Sequence, residues 1–140
     1  MINYTFNPTV PGVFIQRLNR FVAEVEHEGQ GTCAHIATSG RLGELLVPGA
    51  RVLLEKSTKK TRRTAYSLRA VWYEGVWVSI DAQIPNRLVA TGLKEGKLPP
   101  FAGCDFIRSE PVYAGGRFDF LLSDAGQATY VEVKSVTLVE

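Results

Sequence analysis

Cysteine and methionine are scarce in this chain, which contains two cysteines and one methionine in 140 residues. Cys33 and Cys104 lie far apart, and neither has a second cysteine or a histidine at the spacing of a zinc site. The sequence therefore indicates neither a disulfide framework nor structural zinc. We interpret both cysteines as small buried hydrophobic residues.

Long apolar segments are also lacking. No stretch approaches the ~18 consecutive apolar residues of a membrane-spanning helix, and Met1 to Phe6 have no basic start followed by an apolar stretch, as a secretory signal would. With 45% hydrophobic and 21% charged residues, the composition is that of a globular protein that can form one substantial core. We expect a cytoplasmic protein without a membrane partner.

The net charge of +2 is small but unevenly distributed. Residues 51–69 contain seven basic residues and one acid, a net charge of +6, which leaves −4 for the rest of the chain. Cations interleaved with serine and threonine suit a phosphate backbone and carry little base specificity. We predict a nucleic-acid-binding loop here, and the alternative is a solvated hairpin tip. The candidate binding residues are Lys56, Lys59, Lys60, Arg62 and Arg63.

Aromatic residues follow this basic segment closely. Tyr66, Trp72, Tyr73 and Trp77 are candidates for stacking against bases. For Trp77 we favour packing in the core instead, because alternate residues around it are apolar.

The region from Pro11 to Ile80 shows short alternating segments separated by turns, which is typical of an all-β unit. Five or six short strands in about 70 residues suit a partly open barrel of the oligonucleotide-binding (OB) kind, with an SH3-like barrel as the alternative. The turns are expected at Gly29 to Gly31 and at Glu74-Gly75. The predicted strands are Arg20–Glu26, Thr32–Ala37, Arg51–Glu55, Ala65–Tyr73 and Val76–Ile80.

After Ile80 the pattern changes, and we place a domain boundary near Asp81, between residues 1–81 and 82–140. Asn86 is the predicted N-cap of a weak helix that contains Gly92 and Gly96 and ends before Pro99. The predicted elements are a helix at Arg87–Lys97, an extended segment near Phe106–Val112, a strand at Arg117–Leu122, a loop at Ser123–Ala128 and a strand at Thr129–Val136.

The last two predicted strands have alternating apolar residues that should share one face. If their connection is symmetric about Ala125 and Gly126, Phe118 pairs with Val133 and Phe120 with Val131. Asp119 then lies directly opposite Glu132, where two like charges destabilise the sheet.

A divalent cation, Mg²⁺ or Mn²⁺, would offset this repulsion, because Mg²⁺ favours one or two carboxylates together with waters and phosphate oxygens. We predict Asp119, Glu132 and Lys134 as the catalytic residues of a metal-dependent phosphodiesterase, with Glu110 as a further metal carboxylate. Lys134 would orient the attacking water or hold the phosphate. Two alternatives stay open: an ordinary half-solvated strand, and a two-residue register slip that pairs Asp119 with Lys134.

Several segments resemble the sugar fermentation stimulation protein (SfsA-like) family of bacteria and archaea. They occur in the family's order and cover nearly the whole chain. The matching segments are residues 16–25, 38–42, 46–49, Pro85-Asn86-Arg87-Leu88, Ser109-Glu110, Arg117-Phe118-Asp119-Phe120 and residues 131–138.

The resemblance implies an N-terminal OB-like barrel followed by the α/β core of a restriction-endonuclease-like (PD-(D/E)xK) domain. It implies metal ligands at Asp119 and Glu132, a catalytic lysine at Lys134 and an upstream acid at Glu110. It also implies DNA binding and regulation of sugar-utilisation genes. Arg41 and Arg87, which lie in matching segments, join the candidate nucleic-acid-binding residues.

Two departures from the family pattern change what we expect. Residues 37–40 stand where the family tends to have a Pro-Asn-Thr-Gly-like turn, which weakens any phosphate-binding role of this turn. Family members also continue past the Lys134 strand, so we expect an incomplete nuclease-like domain with impaired catalysis. The exposed apolar edge of the last strand predicts a homodimer.

Three functions therefore compete. The first is a Mg²⁺-dependent nuclease, and the second is a DNA-binding module, without sequence specificity, whose nuclease-like half is catalytically silent. The third is a small β-domain for protein contacts with an incidental charge pattern. Binding that weakens steeply with salt separates the second from the third.

Overall fold

The computed structural model describes residues 2–38, 40–58 and 64–137. Two compact units are present. The barrel unit comprises residues 5–82 and 136–140, and the C-terminal unit comprises residues 1–4 and 83–135. None of the helices in the described ranges has the length and apolar character needed to cross a membrane.

Six strands make up the barrel unit in its described part. They are β1 Thr9–Asn19, β2 Val22–His27, β3 Gln30–Ile36, β4 Arg51–Lys56, β5 Tyr66–Tyr73 and β6 Val76–Ser79. Their order is β3-β2-β1-β4-β5-β6, and a parallel pairing of β3 with β5 closes five of them into a barrel. β6 pairs with the second half of β5 and extends the sheet beyond the closed barrel.

The longest strand, β1, was not predicted. It contains Pro11 and Gly12, which usually interrupt strands, and sequence reasoning therefore began the first strand only at Arg20. In the structure β1 pairs with β4 through residues 9–13 and with β2 through residues 13–19, and register shifts after Phe14 and Arg17 let it serve both partners. Arg20 and Phe21 form the turn that joins β1 to β2.

Two-residue turns that end in glycine connect the two strands of each of four hairpins. Glu28-Gly29, Glu74-Gly75, Ala114-Gly115 and Ala125-Gly126 all have positive φ at both residues. This is the signature of a type I′ turn, whose twist matches that of the flanking strands. The turn at Glu74-Gly75 was predicted correctly, and the one predicted at Gly29 to Gly31 lies one residue earlier.

The barrel is filled by the inward residues of all its strands, together with Leu45 and Leu46. Gly12 packs against this core without a side chain. A Cβ at this position would lie 2.7 Å from Leu54 Cδ1 and 3.1 Å from the backbone oxygen of Glu26. Leu54 is fully buried, so it has little room to move away.

Gly12→Ala is therefore expected to lower the free energy of unfolding by about 1–3 kcal/mol through overpacking. Urea denaturation of the purified chain measures this loss. Gly31→Ala is the matched control, because a Cβ there meets no atom within 4 Å. Equal stability of the two variants would contradict the packing described here.

A buried ion-pair cluster joins three parts of the barrel unit. Arg69 on β5 contacts Glu55 on β4 through Nη2 at 2.7 Å and contacts the Asp81 carboxylate through Nη1. The other Glu55 oxygen accepts a hydrogen bond from the backbone N–H of Asn7 at 2.8 Å. Side-chain exposure is 14% for Arg69, 8% for Glu55 and 2% for Asp81, so these charges depend on each other rather than on water.

The C-terminal unit consists of one α-helix, a 3-10 turn of helix at Pro99–Phe101 and five short strands within its described residues. The α-helix and the strands are α1 Ile84–Lys94, β7 Asp105–Ser109, β8 Val112–Tyr113, β9 Gly116–Arg117, β10 Phe120–Asp124 and β11 Gln127–Val131. Strands β11, β10 and β7 form an antiparallel sheet, and β8 and β9 form a small hairpin. Leu93 of α1 packs with Phe120 and Leu122 of β10 to form the core.

The predicted helix was displaced along the chain. α1 begins at Ile84 after the N-cap Gln83, so Pro85 lies in the first turn, where its missing N–H costs nothing. Asn86 is consequently inside the helix and does not cap it. The helix ends at Lys94, and Gly96 with φ +65° follows it.

The last hairpin has the predicted register only within β10 and β11, so the predicted pairings of Phe118 with Val133 and of Asp119 with Glu132 lie outside its ladder. Phe120 pairs with Val131, as expected from symmetry about Ala125 and Gly126. The predicted six-residue loop is a two-residue turn, and the strand predicted to reach Val136 ends at Val131. Cys33 and Cys104, predicted to be buried, are free and half-buried.

Candidate functional site

Asp119 lies immediately before β10, and two donors hold its carboxylate. Asn86 Nδ2 donates to Oδ1 at 2.9 Å, and the backbone N–H of Val133 donates to Oδ2 at 2.6 Å. A backbone hydrogen bond also links the two strands at this point, because the N–H of Asp119 donates to the Val131 carbonyl at 2.9 Å. The Asp119 side chain thus takes a donor that a longer β-ladder would have used, and this explains why β11 stops at Val131.

Glu132 and Lys134 follow β11 on a segment without regular secondary structure. Lys134 Nζ contacts Glu132 Oε1 at 2.9 Å, and their side chains are 76% and 50% exposed. The pKa of Lys134 is raised above its ordinary value, mainly by its hydrogen bond to Glu132 and by that carboxylate's charge, with a smaller contribution from the charge of Asp119. The ion pair therefore joins Glu132 to Lys134, not Asp119 to Lys134 as in the register-slip alternative.

Glu110 connects to Asp119 through the backbone. Its N–H donates to the Asp119 carbonyl at 2.8 Å. Its φ of +54° lies in the left-handed region, which residues other than glycine rarely adopt. Its side chain is exposed and lines the same open cavity, of about 260 Å³, as Asp119. The cavity is also lined by Asn86, Arg87, Ala90, Ser109 and Phe120.

Arg87 carries the positive charge of this cavity. Its Nη1 donates to the Tyr4 hydroxyl at 2.8 Å, and its guanidinium carbon lies 5.7 Å from the Tyr4 ring centroid. Tyr4 belongs to the same unit, so the N-terminal segment braces this cation. Arg87 is exposed and available to an anion beside Asp119.

The predicted acidic residues do not form a preformed metal cage. In the parts of the chain that the structure describes, no group of three or more histidine, cysteine, aspartate or glutamate side chains is placed to hold a metal ion. Asp119 and Glu132 nevertheless offer only oxygen donors, which fits Mg²⁺, since this ion retains waters and needs one or two carboxylates. Metal binding by Asp119, Glu132 and Glu110 stays a prediction.

The predicted basic loop is only partly described. Lys56 is exposed at the end of β4, whereas Lys59, Lys60, Arg62 and Arg63 lie outside the described residues. The one acid of residues 51–69 is Glu55, and Arg69 neutralises it. The six other basic residues of this segment are left without an acid in the segment itself.

Arg41 lies in a loop that Arg17 organises. The Arg17 guanidinium donates to the backbone carbonyls of Arg20, Thr38, Gly40 and Arg41. Burial is the main cause that lowers the pKa of Arg17. Arg41 itself is exposed and lines a cavity of about 390 Å³ together with Glu44, Tyr73 and Thr137.

The expectation that Trp77 packs in the core was wrong. Trp77 is 43% exposed and Trp72 is 36% exposed, and their ring centroids lie 5.2 Å apart in an edge-to-face arrangement. Val78 and Ile80 form the buried face of this segment, so Trp77 points outward.

Sequence reasoning missed three contacts that shape these sites. Asn86 was interpreted as a helix cap, although its amide binds Asp119. No local sequence pattern indicated the roles of Arg17 and Tyr4. Tyr4 contacts Arg87, 83 residues away, and all partners of Arg17 except Arg20 lie at least 21 residues away. The motif Pro85-Asn86-Arg87-Leu88 drew attention to Asn86 and Arg87, but it did not indicate their contacts with Asp119 and Tyr4.

Comparison with protein families gives matches to both halves of the chain. Residues 15–80 match the SfsA N-terminal OB domain. Residues 83–140 match the sugar fermentation stimulation protein RE domain. The first match confirms the predicted OB-type barrel.

Similar proteins support the same conclusion over the whole chain. A sugar fermentation stimulation protein homolog of Natranaerobius thermophilus is 43% identical over all of this chain and 60% of its own length. A homolog of Acetivibrio thermocellus is 47% identical over 94% of this chain and 57% of its own length. The solved structure of Pyrococcus furiosus SfsA in complex with Ca²⁺ has a TM-score of 0.86 and 28% identity, over all of this chain and 60% of that one. The chain thus spans about three fifths of the length of these relatives.

Proposed function

Because this chain belongs to the sugar fermentation stimulation protein family, we propose that it binds DNA without sequence specificity through the basic segment of its OB barrel. The observation that carries the proposal is the charge of residues 51–69. Arg69 and Glu55 neutralise each other inside the barrel, and six further cations share one stretch of 19 residues. Phosphate contacts of this kind supply affinity without reading bases.

Salt dependence tests the proposal directly. Each phosphate contact contributes roughly 0.7–0.9 to the slope of log K against log salt. Lys59→Gln with Lys60→Gln is expected to reduce the slope by about 1.4–1.8, and replacing Arg62 and Arg63 as well by about 3. Fluorescence anisotropy of a labelled oligonucleotide over a salt series measures the slope.

A charge-matched control separates local contacts from net charge. Arg108→Gln with Arg117→Gln removes two exposed cations from the C-terminal unit and should leave the slope nearly unchanged. An equal reduction in both double variants would contradict a binding site on the barrel. Tight binding to a protein partner with little salt dependence would instead favour a protein-interaction domain.

We also propose a metal-dependent phosphodiesterase site in the C-terminal unit, built on a restriction-endonuclease-like core. The specific observation is the fixed carboxylate of Asp119, beside the exposed cation Arg87 and near the Glu132–Lys134 pair. The solved relative from Pyrococcus furiosus binds Ca²⁺, another cation that prefers oxygen ligands.

In this proposal Asp119 and Glu132 hold Mg²⁺ or Mn²⁺, with Glu110 as an added carboxylate, and the ion supplies Lewis acidity and an activated water. Asn86 and the Val133 N–H keep the Asp119 carboxylate oriented. Arg87 binds a phosphate oxygen of the DNA, and Lys134, freed from Glu132, orients the water or stabilises the charge that develops on the phosphate. The activity, the cytoplasmic location and any control of sugar-utilisation genes are proposals, because this chain spans about three fifths of the length of its relatives.

A further inference from the structure

A row of outward-facing side chains crosses four strands of the barrel unit. Val13 on β1 pairs with Arg51 on β4. Val52 pairs with Val71, so the preceding Arg51 lies beside the following Trp72 on β5. Trp72 in turn pairs with Trp77 on β6. We name Arg51, Trp72 and Trp77 the tryptophan–arginine face.

The two indole rings of this face are available to a flat ligand. They meet edge to face, with an interplanar angle of 68°, and they keep 36% and 43% of their surfaces exposed. The Arg51 guanidinium carbon lies 5.4 Å from the Trp72 centroid and 6.0 Å from the Trp77 centroid. These distances are within cation–π range but longer than a flat stack, for which nonbonded atoms approach to roughly 3.5–4 Å.

The charge of the face favours an anionic ligand. Among the described residues, no carboxylate forms an ion pair with Arg51, which is itself exposed. Glu26 lies further along the same row, and Val13 separates it from Arg51. The cation therefore stands next to the aromatic rings, and the acid stands at the opposite end.

We propose that the tryptophan–arginine face binds unpaired nucleotides of single-stranded nucleic acid, with bases stacked on Trp72 and Trp77 and a phosphate on Arg51. Every base has a π-face, so stacking of this kind accepts any sequence but needs bases that are not paired. A duplex exposes no such faces. The inference takes its ligand class from the proposed DNA binding. It shares only Arg51 with the basic segment of that proposal, relies on Trp72 and Trp77 instead of the loop cations, and adds a preference for single strands.

Intrinsic fluorescence gives a direct test, because Trp72 and Trp77 are the only tryptophans of the chain. An oligothymidylate of about ten nucleotides is expected to quench the emission saturably. An abasic oligomer of equal length and charge, and a duplex, should leave it nearly unchanged. Trp77→Ala and Trp72→Ala should each weaken binding of the single strand by roughly fivefold to a hundredfold.

Two further variants separate stacking from folding. Trp77→Phe keeps an aromatic face and should retain most of the affinity for the single strand. A variant that had lost its fold would not retain this affinity. Val76→Ala changes an exposed apolar residue on the same hairpin, on the opposite side of the strand, and should bind as wild type does.

Equal quenching by the abasic oligomer, or unchanged affinity of both alanine variants, would overturn the inference. Salt-dependent binding of duplex and single strand with equal affinity and no quenching would also overturn it, while leaving the proposed DNA binding intact. Quenching by polyglutamate but not by oligothymidylate would identify the face as a site for acidic proteins and likewise refute the inference.

Discussion

Arg69→Ala is expected to lower the free energy of unfolding by about 3–5 kcal/mol, because it leaves two buried carboxylates without their cation. Glu55 and Asp81 are almost fully buried in the barrel unit, and water cannot replace the guanidinium that they share. One cation with several donors bridges β5, β4 and the segment that follows β6. Urea denaturation, with the slope checked for constancy, measures the loss.

Companion variants test the physical reason for this loss. Arg69→Lys retains the charge but cannot reach both carboxylates in the same way, and an intermediate loss is expected. Arg69→Met combined with Glu55→Gln and Asp81→Asn removes all three charges and should recover part of the stability. If Arg69→Ala costs less than about 1 kcal/mol, the value of an exposed ion pair, the cluster is open to water.

Asp119→Asn is expected to abolish metal-dependent cleavage and to weaken Mg²⁺ and Mn²⁺ binding by roughly tenfold or more. The substitution removes the negative charge of the side chain. It also places an amide NH₂ group, itself a hydrogen-bond donor, opposite one of the two donors that hold Asp119. Asn86 Nδ2 and the Val133 N–H point at the two carboxylate oxygens, so an asparagine can accept only one of these hydrogen bonds. Calorimetry with each metal, and a labelled oligonucleotide to report cleavage, measure both effects.

A graded series makes this experiment specific. Asn86→Ala removes one support of Asp119 and should lower metal affinity by roughly tenfold to a hundredfold. Asp124→Ala removes an exposed carboxylate from the same hairpin and should bind metal as wild type does. Metal binding that is unchanged in Asp119→Asn would refute the site. An oligonucleotide that is bound but uncut, with no metal bound to wild type, would leave the DNA-binding proposal standing alone.

Local sequence rules recovered most of the elements but not their ends. Alternation located five strands of the barrel unit, and the Glu74-Gly75 dipeptide located a hairpin turn, because few residues other than glycine accept its second position. β1 was not predicted because Pro11 and Gly12 resemble a turn. In the structure Pro11 is accommodated within the strand, and Gly12 is needed because Leu54 packs closely against it.

The register of the last hairpin was fixed by its apolar pattern and by the symmetry about Ala125 and Gly126. Its extent was not, since Asp119 binds the N–H of Val133 through its side chain and thereby ends the ladder. Periodicity contains no information about such a competition between a side chain and a strand.

The sequence by itself determined the strand pattern, the OB-type barrel, the concentration of positive charge in residues 51–69 and the family, because these depend on local alternation, turn chemistry and motif order. Only the tertiary structure decided which charges are free. It buried Arg69 between Glu55 and Asp81, turned Trp72 and Trp77 outward beside Arg51, and brought Asn86 to Asp119 across 33 residues of chain. The physical reason is that burial and pairing depend on elements distant in sequence, whose approach is set by packing of the whole unit.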